Sequence, residues 1–410
     1  MVDLKHLRQN PKQYINSAHL RGVNVDITKL LELDRRRTEM IGQIDSLRSQ
    51  LKSKAKPTAA ERSGLKDAKA KLEELEADFI PVDADITELL WRIPNLIAEG
   101  TPNGGEEDNK EIKTWKPDGG SEVKAPKDHV AIALEKDLLD FERGAKVAGS
   151  KFLFTKGATI RLEMAVMRMA IDVAEAAGFT IMGVPHMVND RVAAGTGFLP
   201  RGEEAQIYRV EGQDLSLIAT AELPLTGYHA DEILDPETLP LLYAGISPCY
   251  RLEAGAYGKH SKGFYRVHQF DKLEMYVYSK SSESAHWHEK LLALEEDIVK
   301  MLEIPYRVVR IAAGDLGAPA YKKYDIEYYS PVDKTYRELT SCSNCTDFQA
   351  RRLAIRTRGA NGQTEFVHTL NGTAIAFSRV FIALLENHQT DDGNIAIPLA
   401  LQSYYGGKTL

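Results

Sequence analysis

The sequence predicts an α+β fold: one domain around an antiparallel sheet, preceded by an antiparallel α-helical coiled-coil arm. Three observations carry that expectation. Apolar residues recur in alternating steps of three and four from Leu65 to Ile93. Two strand-like runs, Tyr250-Arg251-Leu252-Glu253-Ala254-Gly255 and Phe264–Glu274, flank a glycine-punctuated loop, Gly255–Gly263. Beyond residue 120, short strand and helix patterns alternate with no repeat or low-complexity tract.

The arm comes first. Leu65, Ala68, Leu72, Leu75, Phe79, Val82, Ile86, Leu89 and Ile93 lie on one face of a helix. Leu30, Leu33, Met40, Ile44, Leu47 and Leu51 do the same upstream, with Arg37 at the one missing seam position. The polar break Lys52–Ala60, with Pro57 and Thr58, folds the two into a hairpin over about 28–98. At ~1.5 Å per residue, Leu30–Leu51 alone reaches about 33 Å. Pro81 inside the second helix is expected to kink it or interrupt its hydrogen bonding. A dimerisation coil would show the same periodicity.

The chain carries a formal charge of -7, which speaks against a polyanionic partner. The distribution speaks for one. Arg48, Lys52, Lys54, Lys56, Arg62, Lys66, Lys69 and Lys71 crowd the hairpin tip, opposed only by Glu61 and Asp67. Such a patch suits a phosphate backbone, although a solvated helix pair can also show it.

A boundary follows at Gly100–Asn109, which has the composition of an exposed linker and divides the chain into 1–105 and 106–410. Next, Leu162, Val166, Met169, Val173 and Ala177 give Arg161–Gly178 an apolar helical face closed by a glycine. Met164, Met167 and Met169 read as packing residues. Phe179–Pro185 is a strand ending in proline.

The candidate chemistry lies beyond. On extended chain, alternate side chains share a face, so Arg251 pairs with Glu253, and Arg266 with His268, Phe270 and Glu274. Guanidinium groups suit phosphates, a ring suits a base and a carboxylate an amine. A hairpin with a charged outer face is the alternative. Thr220-Ala221-Glu222 places a hydroxyl and a carboxylate on one side of an extended segment, suited to an ammonium group; a turn or helix cap competes. Glu338-Leu339-Thr340-Ser341 offers oxygen ligands of the kind Mg²⁺ takes alongside substrate phosphates. His368–Arg379 reads as a strand, a turn at Gly372 and a helix carrying Arg379, there for a polyphosphate or a surface ion pair.

A composition of 43% hydrophobic and 27% charged residues permits a sizeable core, which excludes global disorder. No apolar run approaches a membrane span, and Met1–Asn10 is too polar for a signal peptide. Cys249, Cys342 and Cys345 are few for so long a chain, which fits a reducing, cytoplasmic setting. Cys342-x-x-Cys345 has no second pair, so structural zinc is not expected.

These residues together resemble seryl-tRNA synthetase of the bacterial type, over essentially the whole chain. The hairpin is similar to that family's tRNA-binding arm. Residues 161–188 look like motif 1 of a class II synthetase catalytic core, 246–276 like motif 2 and 370–390 like motif 3. Thr220-Ala221-Glu222 and Glu338–Asn344 are similar to the family's own signatures. The resemblance implies an ATP-dependent serine–tRNA ligase that is a homodimer through motif 1. Its partners would be L-serine, tRNA(Ser) and, where present, tRNA(Sec).

By the same resemblance, Arg251 and Arg379 are catalytic. Thr220, Ala221, Glu222, Arg251, Glu274, Asn371 and Thr373 bind serine. Arg251, Leu252, Glu253, Arg266, Val267, Phe270, Glu338, Leu339, Thr340, Ser341 and Arg379 bind ATP. Phe270 stacks on adenine with Arg379 on its other face, and Glu338 and Ser341 hold Mg²⁺. Arg48, Lys52, Lys54, Lys66 and Lys69 meet tRNA. Leu252 and Thr340 stand where serine is common in the family. A carrier-protein aminoacyl ligase typically lacks the arm, and an inactive synthetase-like RNA-binding protein should have lost Arg251, Glu253 or Arg379.

Overall fold

The computed structural model describes residues 2–52, 59–118, 123, 125–198, 207–253, 263–359 and 362–410. Two compact units result, Met1–Leu96 and Ile97–Leu410.

In the first unit, short helices Leu4–Gln9 and Pro11–Leu20 precede α1 (Ile27–Leu51) and α2 (Ala59–Arg92). Asp26 caps α1 by accepting from the Lys29 N–H. Leu30, Met40 and Ile44 of α1 and Val82, Ile86 and Leu90 of α2 are buried, and the seam is drier here than toward the tip, where Leu47, Leu72 and Leu75 are half-buried. The gap in the apolar seam is an ionic layer. Arg37 reaches Asp34 and Asp83, each at 3.0 Å, while Arg8 meets Asp34 at 2.6 Å. Hydrogen bonding from Arg8 holds the Asp34 carboxyl below its ordinary range, against burial. One polar layer in an apolar seam fixes helix register at some cost in stability.

Pro81 does not end α2, which runs from Ala59 to Arg92. Its ring lies on the exposed face, and buried Val82 and Ile86 anchor the turns beside it.

The second unit is built on an eight-stranded sheet. The strands are β1 (Lys110–Trp115), β2 (Thr180–Gly183), β3 (Leu241–Tyr250), β4 (Gln269–Ser279), β5 (Tyr306–Arg310), β6 (Lys322–Ser330), β7 (Thr335–Thr346) and β8 (His368–Ala376). Their spatial order is β1-β5-β6-β7-β8-β4-β3-β2, antiparallel throughout except for the β2–β3 edge pair. The supposed linker at 100–109 is ordered against this unit: the Ala98 N–H donates to Tyr321 O, and Gly104 O accepts from the Gly314 N–H.

Strand β4 shows how the sheet divides its faces. Leu273, Met275 and Val277 enter the main core with α3 (Ala158–Ala176), α5 (Ser284–Met301) and α7 (Phe377–Asn387). Tyr276 and Tyr278 enter a second core with α4 (Glu222–Gly227) and α6 (Phe348–Leu353). Burying each large apolar side chain contributes about 1.5–3 kcal/mol. Phe270, Lys272 and Glu274 share the face of the two tyrosines, where the helices leave the sheet uncovered as a cleft.

Four sequence expectations are corrected. Thr220–Glu222 is not extended, because Glu222 opens α4. Gly372 lies inside β8, not in a turn. A Cβ there would stand 2.8 Å from the Glu295 carboxylate oxygen and 3.4 Å from Cys342 Cβ, so glycine permits close packing in mid-strand. The helix expected at Arg161–Gly178 spans Ala158–Ala176. Finally, β3 ends at Tyr250 and β4 starts at Gln269, leaving Arg251, Glu253 and Arg266 on the connecting chain, with Glu253 at φ +45°.

Candidate active site

One cleft of about 540 Å³ gathers side chains from β4, β7, β8, the start of α4, the chain either side of the β3–β4 loop and the start of α7. Two β-bulges aim them. In β7, Ile326 of β6 opposes Thr340 while Glu327 opposes Glu338, so Leu339 is the extra residue. Without it, Glu338 and Ser341, three apart, would face opposite sides; with it both line the cleft. In β8 the extra residue is Ala374, since Thr373 opposes Glu274 and Ile375 opposes Leu273. The bulge keeps Asn371, Thr373 and then Ala376 on the cleft side.

Part of the cleft lining is a buried group of opposed charges. Glu274 pairs with Lys272, both side chains nearly inaccessible, and accepts from Thr373 Oγ1 at 3.3 Å. Glu222 Oε1 accepts from Asn371 Nδ2 at 3.0 Å and from Gln349 Nε2 at 2.8 Å. Burial, then the charge of Glu274, pushes the Glu222 carboxyl up to about 7, with Gln349, Lys272 and Arg251 opposing. A ligand ammonium group in this pocket would restore the ionised carboxylate. Thr220, whose Oγ1 accepts from the Glu222 N–H at 3.2 Å, lines the same pocket.

Three arginines line the same cleft. Arg251 donates to Ala219 O at 3.3 Å and lies over the Phe270 ring at 5.2 Å. Arg266 meets Glu253 at 3.3 Å. Arg379 meets Glu338 at 2.8 Å and lies over the Tyr265 ring at 5.2 Å. Burial alone would raise the Glu338 carboxyl, but Arg379, then Lys323, outweighs it and holds the group down to about 2. Farther back, burial pushes Asp325 up to about 7 despite its ion pair with Lys323 at 3.1 Å.

Most of the expected site residues converge here: Thr220, Glu222, Arg251, Glu253, Arg266, Val267, Phe270, Glu274, Glu338, Leu339, Thr340, Ser341, Asn371, Thr373 and Arg379 all line the cleft. Ala221 and Leu252 are outside its lining; Ala221 is wholly buried in the second core. His268 is also turned away, its Nδ1 at 2.9 Å from Arg251 O and its ring 4.9 Å from Phe152. It precedes β4, so strand alternation does not govern it. Gly255–Lys262 of the loop and Lys54 of the arm tip lie outside the described residues. Lys272, Lys323 and Tyr265 also line the cleft, and Gln349 bonds Glu222 from behind it; none of the four stands out in the sequence as a site residue. Lys272 was within reach, two residues before Glu274 on the same strand face.

Glu338 and Ser341 supply a sparse set of oxygen donors, and among the described residues no cluster of three or more metal-ligating side chains occurs. Such a pair fits a cation held mainly by phosphates and does not fit a protein-only cage. Cys342 belongs to the main core while Cys345 lines the cleft, so the two thiols do not converge on one ion.

The chain can now be set beside known proteins. Residues 1–97 match the seryl-tRNA synthetase N-terminal domain, and 207–388 match the tRNA synthetase class II core domain (G, H, P, S and T). It is 47% identical to the serine–tRNA ligase of Dictyoglomus turgidum, over 99% of this chain and 98% of that protein. Identity to the serine–tRNA ligase of Rubrobacter xylanophilus is 44%, over 100% and 99%. The structure of seryl-tRNA synthetase from Pyrococcus horikoshii complexed with ATP superposes with a TM-score of 0.93 at 40% identity, covering 100% of this chain and 99% of that one. Cytoplasmic serine–tRNA ligase from Naegleria fowleri in complex with AMP gives 0.86 at 30% identity, covering 98% and 95%. With both domains matched and full-length relatives this similar, the chain belongs to the seryl-tRNA synthetase family.

Proposed function

We infer that this chain is a serine–tRNA ligase, a class II aminoacyl-tRNA synthetase. It activates L-serine with ATP to seryl-adenylate and pyrophosphate, then transfers serine to the 3′ end of tRNA(Ser). The carrying observation is the composition of a single cleft, lined by the buried carboxylates of Glu222 and Glu274 and by Arg251, Arg266 and Arg379. The carboxylates suit the ammonium group of an amino acid and the arginines suit a polyphosphate.

Glu222 and Thr220 take the serine ammonium, and Glu274 with Thr373 takes its hydroxyl. Asn371 holds Glu222. The serine carboxylate attacks the α-phosphorus, and Arg251 lies near the ring proposed for adenine, placed to offset charge on both reactants. No side-chain nucleophile is required. Glu253 takes the adenine amine and Phe270 its face. Arg266 and Arg379 meet the terminal phosphates, for which Arg379 would exchange its hold on Glu338. Mg²⁺ would be held by Glu338 and Ser341 and would reduce the negative charge of the phosphates.

Lys52, Lys66 and Lys69 are exposed on the arm, and we assign them to the tRNA backbone with Arg48, whose partner Glu76 at 2.7 Å is itself exposed. Lys54 joins them by sequence position, and tRNA(Sec) is a second substrate where it occurs. A homodimer through α3 and β2 accounts for Met164 on α3, whose side chain is largely exposed. No helix among the described residues is long and apolar enough to cross a membrane. The three free, buried thiols suit the cytoplasm, where we place the protein.

Charging of unfractionated tRNA with labelled serine tests the reading. Serine should appear on tRNA in an ATP-dependent reaction. Label on a carrier protein but not on tRNA would favour a carrier ligase instead.

A further inference from the structure

Gln349 lies on α6, outside the class II motifs and the family signatures, and is wholly buried. Its amide uses all four hydrogen-bonding positions. Oε1 accepts from Thr369 Oγ1 of β8 at 2.6 Å and from Tyr276 Oη of β4 at 3.0 Å. Nε2 donates to Thr196 O at 3.0 Å and to Glu222 Oε1 at 2.8 Å. Thr196 O only accepts, so the amide has one satisfactory orientation. With Asn371 it places both side-chain donors on Oε1 of Glu222, leaving Oε2 without a hydrogen bond among the described residues.

We propose that Gln349 is a positioning residue for amino-acid recognition: its locked amide aims Glu222 and reserves the second carboxylate oxygen for the substrate ammonium group. The proposal rests on the functional reading above and adds the group that sets the state of its ammonium acceptor. Around Glu222 the other charged and titratable neighbours are Glu274, Lys272 and Tyr276 of β4, Arg251 after β3 and Cys345 of β7. Glu274 opposes ionisation, while Lys272 and Arg251 favour it. Gln349 and Asn371 are the neutral donors that complete the balance.

Serine-dependent pyrophosphate exchange by the full-length protein tests this between pH 6 and 8.5. Gln349→Met fills the space without a donor. Its KM for serine should rise about tenfold to a hundredfold, the effect of removing a hydrogen bond to a charged group. KM for ATP should stay unchanged. The defect should be worst at low pH and ease as pH rises, because Glu222 then needs more alkaline conditions to ionise. Gln349→Glu keeps the acceptor for Thr369 and Tyr276 and donates only while protonated, so its defect should run the opposite way, growing as pH rises. Tyr276→Phe frees one side of the amide and gives a smaller rise, about fivefold, should either Gln349 variant fail to fold. Opposite pH trends support the assignment. Unchanged serine KM in the folded variants, or a pH-independent loss shared with ATP, overturns it. Absence of any serine response in the unmodified protein would instead overturn the functional reading.

Discussion

Glu222 and Glu274 occupy one buried pocket, and their unequal partners give them different work. Glu274 has Lys272 as a direct counter-ion, whereas Glu222 has only neutral donors in contact and sits up at about 7. Its folded-state pKa lies above the unfolded one, so the ligand-free protein favours the protonated form below about 7. Holding an ammonium group requires the ionised form. The KM for serine should therefore climb as pH falls through about 7 while that for ATP changes little, as pH-resolved exchange kinetics would show. Arg251→Ala should lower adenylate formation by roughly a hundredfold or more, because developing negative charge then goes unmet. Glu274→Ala should erode discrimination against alanine, since a substrate lacking the hydroxyl leaves the buried Glu274 carboxylate short of one hydrogen bond even with Lys272 and Thr373 in place. Retained selectivity in that variant would contradict the assignment. Residue types alone exposed most of these groups: arginine, glutamate and phenylalanine in so short a stretch signal chemistry. Gln349 gave no such signal. A neutral amide is conspicuous only once α6, β4 and β8 meet around it.

At the scale of elements, the two bulges matter more than strand alternation. Period-two reasoning correctly groups Phe270 with Glu274, because β4 runs unbroken through both. It fails for Glu338 with Ser341 and for Thr373 with Ala376, where Leu339 and Ala374 shift the phase. A bulge depends on the partner strand, so it cannot be read from one strand alone. Gly372 illustrates the same limit: a glycine between polar residues looks like a turn until Glu295 and Leu291 of α5 pack against it. Gly372→Ala should destabilise the second unit by about 1–3 kcal/mol through overpacking, measured as a lower denaturant midpoint. An unchanged midpoint would mean that α5 yields at little cost. The arm was more legible, because heptad periodicity is a local property. Even there, Arg37 looked like a gap and is the centre of an ionic layer.

At the scale of the whole molecule, the division at Leu96–Ile97 separates the basic arm from every cleft residue. Replacing Leu30–Ile93 by a short glycine bridge should spare serine-dependent exchange and eliminate tRNA charging. Charge reversal of Lys52, Lys66 and Lys69 is the milder form. It should raise the KM for tRNA and flatten its salt dependence, by roughly 0.7–0.9 in log–log slope for each phosphate no longer neutralised. Normal charging after excision would make the arm structural. The central claim, however, concerns the cleft: a buried acidic pocket that selects serine beside an arginine-rich site that binds ATP. Pyrophosphate exchange by the purified protein, run separately with each of the twenty amino acids, tests it most directly. Exchange with serine, far above that with alanine, glycine, threonine or any other amino acid, is the predicted result. Equal exchange with alanine, preference for a different amino acid, or no amino-acid-dependent exchange at all would contradict it.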